Sequence, residues 1–143
     1  MKNTISKIIK QLSSKPKTLF LIDSIGALTT VFFLYVVLRN FNEYFGMPIT
    51  ILNYLSAIAA CLGIYSTICL VLIKENWIPF IMIISIANLL YCILTIGLII
   101  FYHPKLSIFG TAYFIGEIAI IFGLIYIELN VASAIKKSNF IDW

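Results

Sequence analysis

Charge is scarce in this sequence. Its 143 residues include 10 Lys and Arg, 6 Asp and Glu and a single His, so that charged residues make up 11% of the chain while 62% are hydrophobic. A soluble domain carries about 25% charged residues, and a chain of this length has too little interior to hide such an apolar excess. Most of the surface is therefore expected to face lipid.

Sequence signatures of catalysis and of nucleic-acid binding are also missing. The chain has no H-E-x-x-H, no glycine-rich phosphate loop and no G-x-S-x-G, and its basic residues belong to no nucleic-acid-binding module. The three cysteines lie in apolar runs without metal-ligand spacing, and His103 has no second His near it. We therefore predict a protein that is not an enzyme, and we predict no cofactor, no metal and no nucleic-acid partner.

Four long apolar runs are present instead. They cover residues 19–38, 49–73, 77–101 and 108–129, and each reaches the length of about 20 residues that a transmembrane helix requires. The links between them are short, which makes consecutive helices antiparallel neighbours. We predict an all-α integral membrane protein, with an up-down-up-down four-helix bundle at residues 18–130 and a cytoplasmic tail at residues 131–143.

The segment before the first run, residues 1–17, has a different pattern. In "TISKIIKQL", Ile and Leu recur at helical spacing with Lys between them. This pattern predicts a short basic amphipathic helix at the membrane interface, in contact with anionic lipid; a solvated tail is the alternative.

The basic residues also predict the orientation of the bundle. Most lysines fall on the side of the two termini, whereas only Arg39 and Lys105 fall on the other side. The positive-inside rule then places both termini in the cytoplasm. We expect a bacterial cytoplasmic membrane protein whose first apolar run is retained, because no cleavage site follows it.

Polar residues in the middle of the apolar runs are the candidates for a binding site. Counting residues along the helices places Glu117 and Asn88 near the bilayer midplane. Thr30 of the first run and Cys61 of the second run fall at similar depth. Tyr91 and Tyr113 lie at helical spacing from Asn88 and Glu117, respectively. The candidate proton- or ligand-binding residues are Glu117, Asn88, Tyr113, Tyr91, Thr30 and Cys61.

Glu117 allows two interpretations. A carboxyl group at the bilayer centre costs at least ~2.5 kcal/mol and is by default a functional candidate. In the first interpretation, Glu117 carries a proton while a midplane pocket binds or transports a small solute or ion, and a homodimer completes the path. In the second, Glu117 is a structural hydrogen-bonding residue in an accessory, assembly or pore-forming membrane subunit.

Two further acids fall at one level near the terminal side of the bundle. Asp23 in the first run and Glu128 in the fourth form a possible secondary acidic pair, which would bind a cation or share a proton. Alternatively, Asp23 is stabilised by the start of its own helix and by the nearby lysines.

Small residues form a stripe along the fourth run. Ala112, Gly116, Ala119 and Gly123 follow each other at i, i+4, i+7 and i+11, and such a face lets two helices approach closely. The stripe predicts a helix-packing face, which contacts another helix of the chain, a second copy or a membrane partner.

Overall fold

A computed structural model describes residues 1–141 of the chain. The end of the predicted tail, including Trp143, lies outside the described residues. Within residues 1–141 nearly every residue is helical and no strand occurs. The helices are α1 (Lys2–Ser14), α2 (Pro16–Phe32), α3 (Asn42–Phe45), α4 (Ile49–Leu72), α5 (Trp77–Tyr102) and α6 (Ile108–Ile141).

Four of these elements are long and apolar enough to cross a membrane. One of them is α2 together with the π-helical segment Phe33–Leu38 that continues it, and the others are α4, α5 and α6. The prediction of an all-α four-helix membrane bundle is confirmed. The chain is an integral membrane protein whose outer surface contacts lipid.

Helix α6 is longer than its predicted span. Its 34 residues extend about 51 Å at 1.5 Å per residue, whereas the hydrocarbon core is about 30 Å thick. The sequence from Leu124 to Ile141 contains no Gly or Pro that would end the helix. Much of the segment predicted as a tail is therefore a continuous extension of the fourth transmembrane helix.

The bundle consists of two closely packed helix pairs. Helix α2 packs along α4, and α5 packs along α6, whereas α4 and α5 contact each other less, and α2 and α6 less still. One hydrophobic cluster lies toward the α1 end of the bundle and includes Phe20 and Ile81, and another lies toward the α3 end and includes Leu52 and Phe114. A polar layer separates the two clusters, and a gap is left between α2 and α6.

The amphipathic helix predicted at the start of the chain is present as α1. Its Leu12 is buried in the same cluster as Val131 and Ala132 of α6, and Ile9 packs against that cluster. The lysines of α1 are exposed. Part of the apolar face of α1 therefore contacts the extended end of α6 rather than lipid.

The α3 end of the bundle is held by a close approach of two loops. The N–H of Ser107 donates to the carbonyl of Phe45 at 3.1 Å, and the Ser107 hydroxyl caps α6 by accepting from the N–H of Gly110 at 3.1 Å. Gly46 has a φ of 82°, and a Cβ there would overlap the carbonyl of Lys105. A Cβ on Gly110 would overlap the carbonyl of Phe45.

Replacement of Gly110 by Ala is predicted to destabilise the fold. The new methyl group would meet backbone rather than a flexible side chain, and overpacking of this kind costs about 1–3 kcal/mol. The measurement is thermal unfolding of the purified protein in detergent. Gly123→Ala is the matched control, because a Cβ at Gly123 of the same helix meets no atom within 4 Å; equal stability of the two variants would contradict the prediction.

Candidate functional site

A chain of hydrogen bonds runs through the polar layer. The Asn88 amide nitrogen donates to Oδ1 of Asp23 at 3.0 Å and approaches Oε1 of Glu128 at 3.5 Å. The Ser66 hydroxyl donates to Oδ2 of Asp23, and the Ser85 hydroxyl donates to Oε2 of Glu128 at 2.9 Å. These five residues, all buried, are called the Asn88 network below.

The Asn88 network joins all four transmembrane helices. Asp23 comes from α2, Ser66 from α4 and Glu128 from α6, while Ser85 and Asn88 lie three residues apart on one face of α5. Hydrogen bonds between membrane helices contribute about 0.6–2 kcal/mol each. The network therefore links the α2–α4 pair to the α5–α6 pair across the middle of the bundle.

The two acids of the predicted secondary pair, Asp23 and Glu128, lie at one level as expected. They are connected through the Asn88 amide and form no direct hydrogen bond with each other, and every carboxyl oxygen of the pair has a partner. No group of three or more His, Cys, Asp or Glu that would hold a metal ion occurs in residues 1–141. Within the described structure, the pair acts as a hydrogen-bonded tie between helices.

Glu117 has a different environment. The Tyr91 hydroxyl donates to its Oε1 at 3.0 Å, whereas its Oε2 is buried and has no hydrogen-bond partner in residues 1–141. The side chain is only 8% exposed. A buried polar atom without a partner costs about 1–3 kcal/mol, so Oε2 is an open acceptor position in the described structure.

Glu117 lines a cavity of about 430 Å³ to which all four transmembrane helices contribute residues. Most of the wall is apolar, with aromatic rings from Phe33, Tyr91 and Tyr113. Asp23 and Asn88 of the network lie at the end of the cavity nearer α1. Of the six candidate residues predicted from depth, five line this one cavity: Glu117, Asn88, Tyr113, Tyr91 and Thr30.

Cys61 is the candidate that the structure places elsewhere. It is exposed on the outer face of α4, whereas Ala59 and Leu62 of the same helix line the cavity. Each residue of an α-helix is rotated by about 100° from the one before, so a residue at the right depth points inward only on the right face. The depth of Cys61 alone predicts it in the site, but Cys61 lies on the outer face of α4, so this prediction is wrong.

The small-residue stripe of α6 does not pack within the chain. Ala112, Gly116, Ala119 and Gly123 are all exposed, and a Cβ at Gly116 or Gly123 meets no atom within 4 Å. The residues of α6 that face the other helices are larger and include Phe114, Ile125 and the two glutamates. Two members of the stripe, Ala112 and Gly116, instead border the cavity.

Ser66 belongs to the site but is absent from the predicted candidates. A single hydroxyl in an apolar run is a weak signal, because Ser is also a common packing residue of membrane helices. Its face gives a stronger signal: Ser66 lies seven residues, close to two turns, after Ala59, on the buried side of α4 that also carries Gly63.

Comparisons of this chain with protein-family models, with curated proteins and with solved structures find no match. The cavity is therefore the feature that points to a function. It combines an apolar, aromatic wall with one carboxyl group whose hydrogen bonding is incomplete.

Replacement of Asn88 by Ala is predicted to destabilise the bundle by about 1–3 kcal/mol, because it leaves buried acceptors of Asp23 and Glu128 without their shared donor. Thermal unfolding in detergent measures the effect. Asn130→Ala is the control, since the Asn130 amide donates to the carbonyl of Tyr126 in its own helix. A variant Asn88→Ala as stable as Asn130→Ala would show that the network does not hold the helices together.

Proposed function

We propose that the protein binds a small solute or ion in the midplane cavity and carries it across the membrane in exchange for a proton on Glu117. The observation that carries this proposal is Glu117, a buried carboxyl that lines a cavity of about 430 Å³ and whose Oε2 has no hydrogen-bond partner in residues 1–141. Ligand sites typically have volumes of about 300–1,000 Å³, apolar walls and a few polar groups that fix orientation.

The contacts of Glu117 suit a carboxyl that exchanges partners. Tyr91 donates to Oε1 at 3.0 Å and so orients the group, while Oε2 is buried and has no partner in residues 1–141 that a ligand would have to displace. A deprotonated carboxyl would accept from the ligand through Oε2, and a protonated one would carry its proton there instead. Ligand and proton would then compete for the same oxygen, which is the requirement for coupled exchange.

The alternative function is that of an accessory, assembly or pore-forming membrane subunit with a structural Glu117. The exposed small-residue stripe of α6 favours it, because a smooth helix face allows close approach of another transmembrane helix. A homodimer formed through this face is compatible with either function. The two functions differ in what Glu117 must do: a structural role needs only a hydrogen-bonding group, whereas proton exchange needs a titrating one.

The test is a thermal-shift screen of the purified protein against a chemically diverse set of small molecules, which includes cations, anions and neutral compounds. A ligand present at a hundred-fold excess over its Kd stabilises the protein by about 2.7 kcal/mol. We expect at least one compound to stabilise the wild type but neither Glu117→Gln nor Glu117→Leu, and to release a proton on binding in weakly buffered solution. Glu43→Gln is the matched control, because Glu43 is exposed and lies outside the long helices.

Other outcomes of the screen contradict the proposal. No stabilising compound, or equal stabilisation of wild type and Glu117→Gln, would show that the carboxyl is not the binding group. If the fold and cellular activity survive Glu117→Gln but not Glu117→Leu, hydrogen bonding suffices and the structural alternative is correct.

The same proposal includes an orientation, with both termini in the cytoplasm of a bacterial cell and the lysines of α1 against anionic lipid. Labelling of intact cells with a membrane-impermeant maleimide tests it on single added cysteines at two exposed positions, one near each end of the bundle. Asn40→Cys, after the π segment, is expected to react in intact cells, and Ser14→Cys, at the end of α1, only after lysis. The reverse labelling pattern would overturn the orientation.

A further inference from the structure

The cavity has a side opening between α2 and α6. These two helices contact each other less than any other neighbouring pair of the bundle, and exposed residues of both helices line the cavity there. Gly26 of α2 and Gly116 of α6 lie at this opening, and a Cβ on either would meet no atom within 4 Å. Because the opening lies within the membrane-spanning part of both helices, it faces the acyl chains rather than water.

The charge inside the cavity has one sign. Glu117 and Asp23 are the ionisable acids of its lining, and the described lining contains no Lys, Arg or His. Asp23 already accepts from Ser66 and Asn88, so the open acceptor is Oε2 of Glu117. Such an atom, nine-tenths buried and surrounded by apolar walls, favours a positively charged or N–H-donating group.

The walls favour a bulky apolar ligand rather than a bare metal ion. Phe33, Tyr91 and Tyr113 present aromatic rings to the cavity, and aromatic rings attract organic cations. A hard metal cation needs about six or more oxygen ligands, and the described residues contain no acidic or metal-ligating group of three.

From these observations we infer that the ligand of the cavity is a lipophilic organic monocation, which enters from the bilayer through the opening between α2 and α6 and places its charge on Oε2 of Glu117. This inference rests on the proposed binding function and adds the class of ligand and its route. The apolar part of the cation packs against the aromatic walls. No bond is broken; where Glu117 is protonated, its proton leaves as the cation arrives.

The first test compares two probes that have the same shape and opposite charge, tetraphenylphosphonium and tetraphenylborate. Equilibrium binding to the purified protein is measured for wild type, Glu117→Gln and Glu43→Gln. We expect wild type and Glu43→Gln to bind the cation and not the anion. Glu117→Gln is expected to bind the cation at least about 10-fold more weakly, because the variant lacks the negative charge that attracts the cation in an apolar surrounding.

A second measurement needs no variant. A hydrophobic carbodiimide modifies carboxyl groups within membranes, and mass spectrometry locates the modified residue. Bound tetraphenylphosphonium is expected to protect Glu117 from modification, whereas tetraphenylborate at the same concentration is not. Loss of folding in Glu117→Gln would therefore leave the inference testable on the native chain.

Three glycine variants test the route. Gly116→Leu places a side chain in the opening, Gly123→Leu places one on the same stripe of α6 away from the cavity, and Gly97→Leu places one on an exposed face of α5; at all three positions a Cβ is unobstructed. We expect Gly116→Leu to abolish cation binding and the other two to retain it. Loss of binding in both Gly116→Leu and Gly123→Leu would indicate a helix contact along the stripe and would overturn the lateral route.

The results separate this inference from the function on which it rests. Equal binding of the two probes, undiminished cation binding by Glu117→Gln, or unprotected Glu117 would overturn the assignment of a lipophilic cation. If the screen then yields a neutral compound or an anion that depends on Glu117, the binding function stands and only the ligand class is wrong. If no compound of any class binds through Glu117, the proposed binding function and the inferred ligand class are both wrong.

Discussion

The amide of Asn88 joins the two halves of the bundle by hydrogen bonds. In lipid, apolar helix surfaces gain little free energy by associating, because the acyl chains are as apolar as the helices. Close packing and interhelical hydrogen bonds therefore decide how the helices associate. The α2–α4 and α5–α6 pairs have extensive apolar contact, whereas few contacts run from α2 to α5 and α6. Asn88 crosses this weak seam by donating to Asp23 on one side and Glu128 on the other, and the position of the cavity depends on it.

Three acids inside the bundle therefore have two different roles. Asp23 and Glu128 have partners on every carboxyl oxygen and hold helices together, whereas Glu117 has one oxygen bonded by Tyr91 and one that is open. The difference follows from the neighbours. The facing stretch of α2 contributes Gly26, Ala27, Thr29 and Thr30 to the cavity lining. The Thr29 hydroxyl donates to the carbonyl of Ile25 in its own helix, and in the described structure none of the four donates a hydrogen bond to Glu117. The small residues that make the space also leave the carboxyl incompletely bonded.

The sequence predicts the helices well and the arrangement of their polar residues less well. Span number and approximate limits follow from the length of the apolar runs. Five residues that the sequence predicts at one depth, Glu117, Asn88, Tyr91, Tyr113 and Thr30, line one cavity. Asn88, however, is hydrogen-bonded to Asp23 and Glu128, the pair that the sequence predicts nearer the termini than Glu117. The transmembrane helices are apolar on all sides, so no hydrophobic face distinguishes the side that points into the bundle. For this reason the sequence predicts Cys61 inside the bundle, whereas it lies on the outer face of α4. The link of Asp23 to Glu128 through Asn88, and the part of Ser66, depend on how the helices pack, which residue spacing within one helix does not specify.

The π-helical segment Phe33–Leu38 borders the cavity at the end nearer α3. Its i→i+5 bonding accommodates about a residue more per turn than the preceding α-helix, and only Arg39 and Asn40 remain helical after it. Phe33 lines the cavity, while Leu34 and Leu38 are both fully buried in the α3-end cluster. Winding the segment as α-helix would rotate its later residues relative to α2 and pull Leu38 from its place in that cluster. Apolar packing of the two leucines thus fixes the rotation of the π-helical segment at the height where the Phe33 ring lines the cavity.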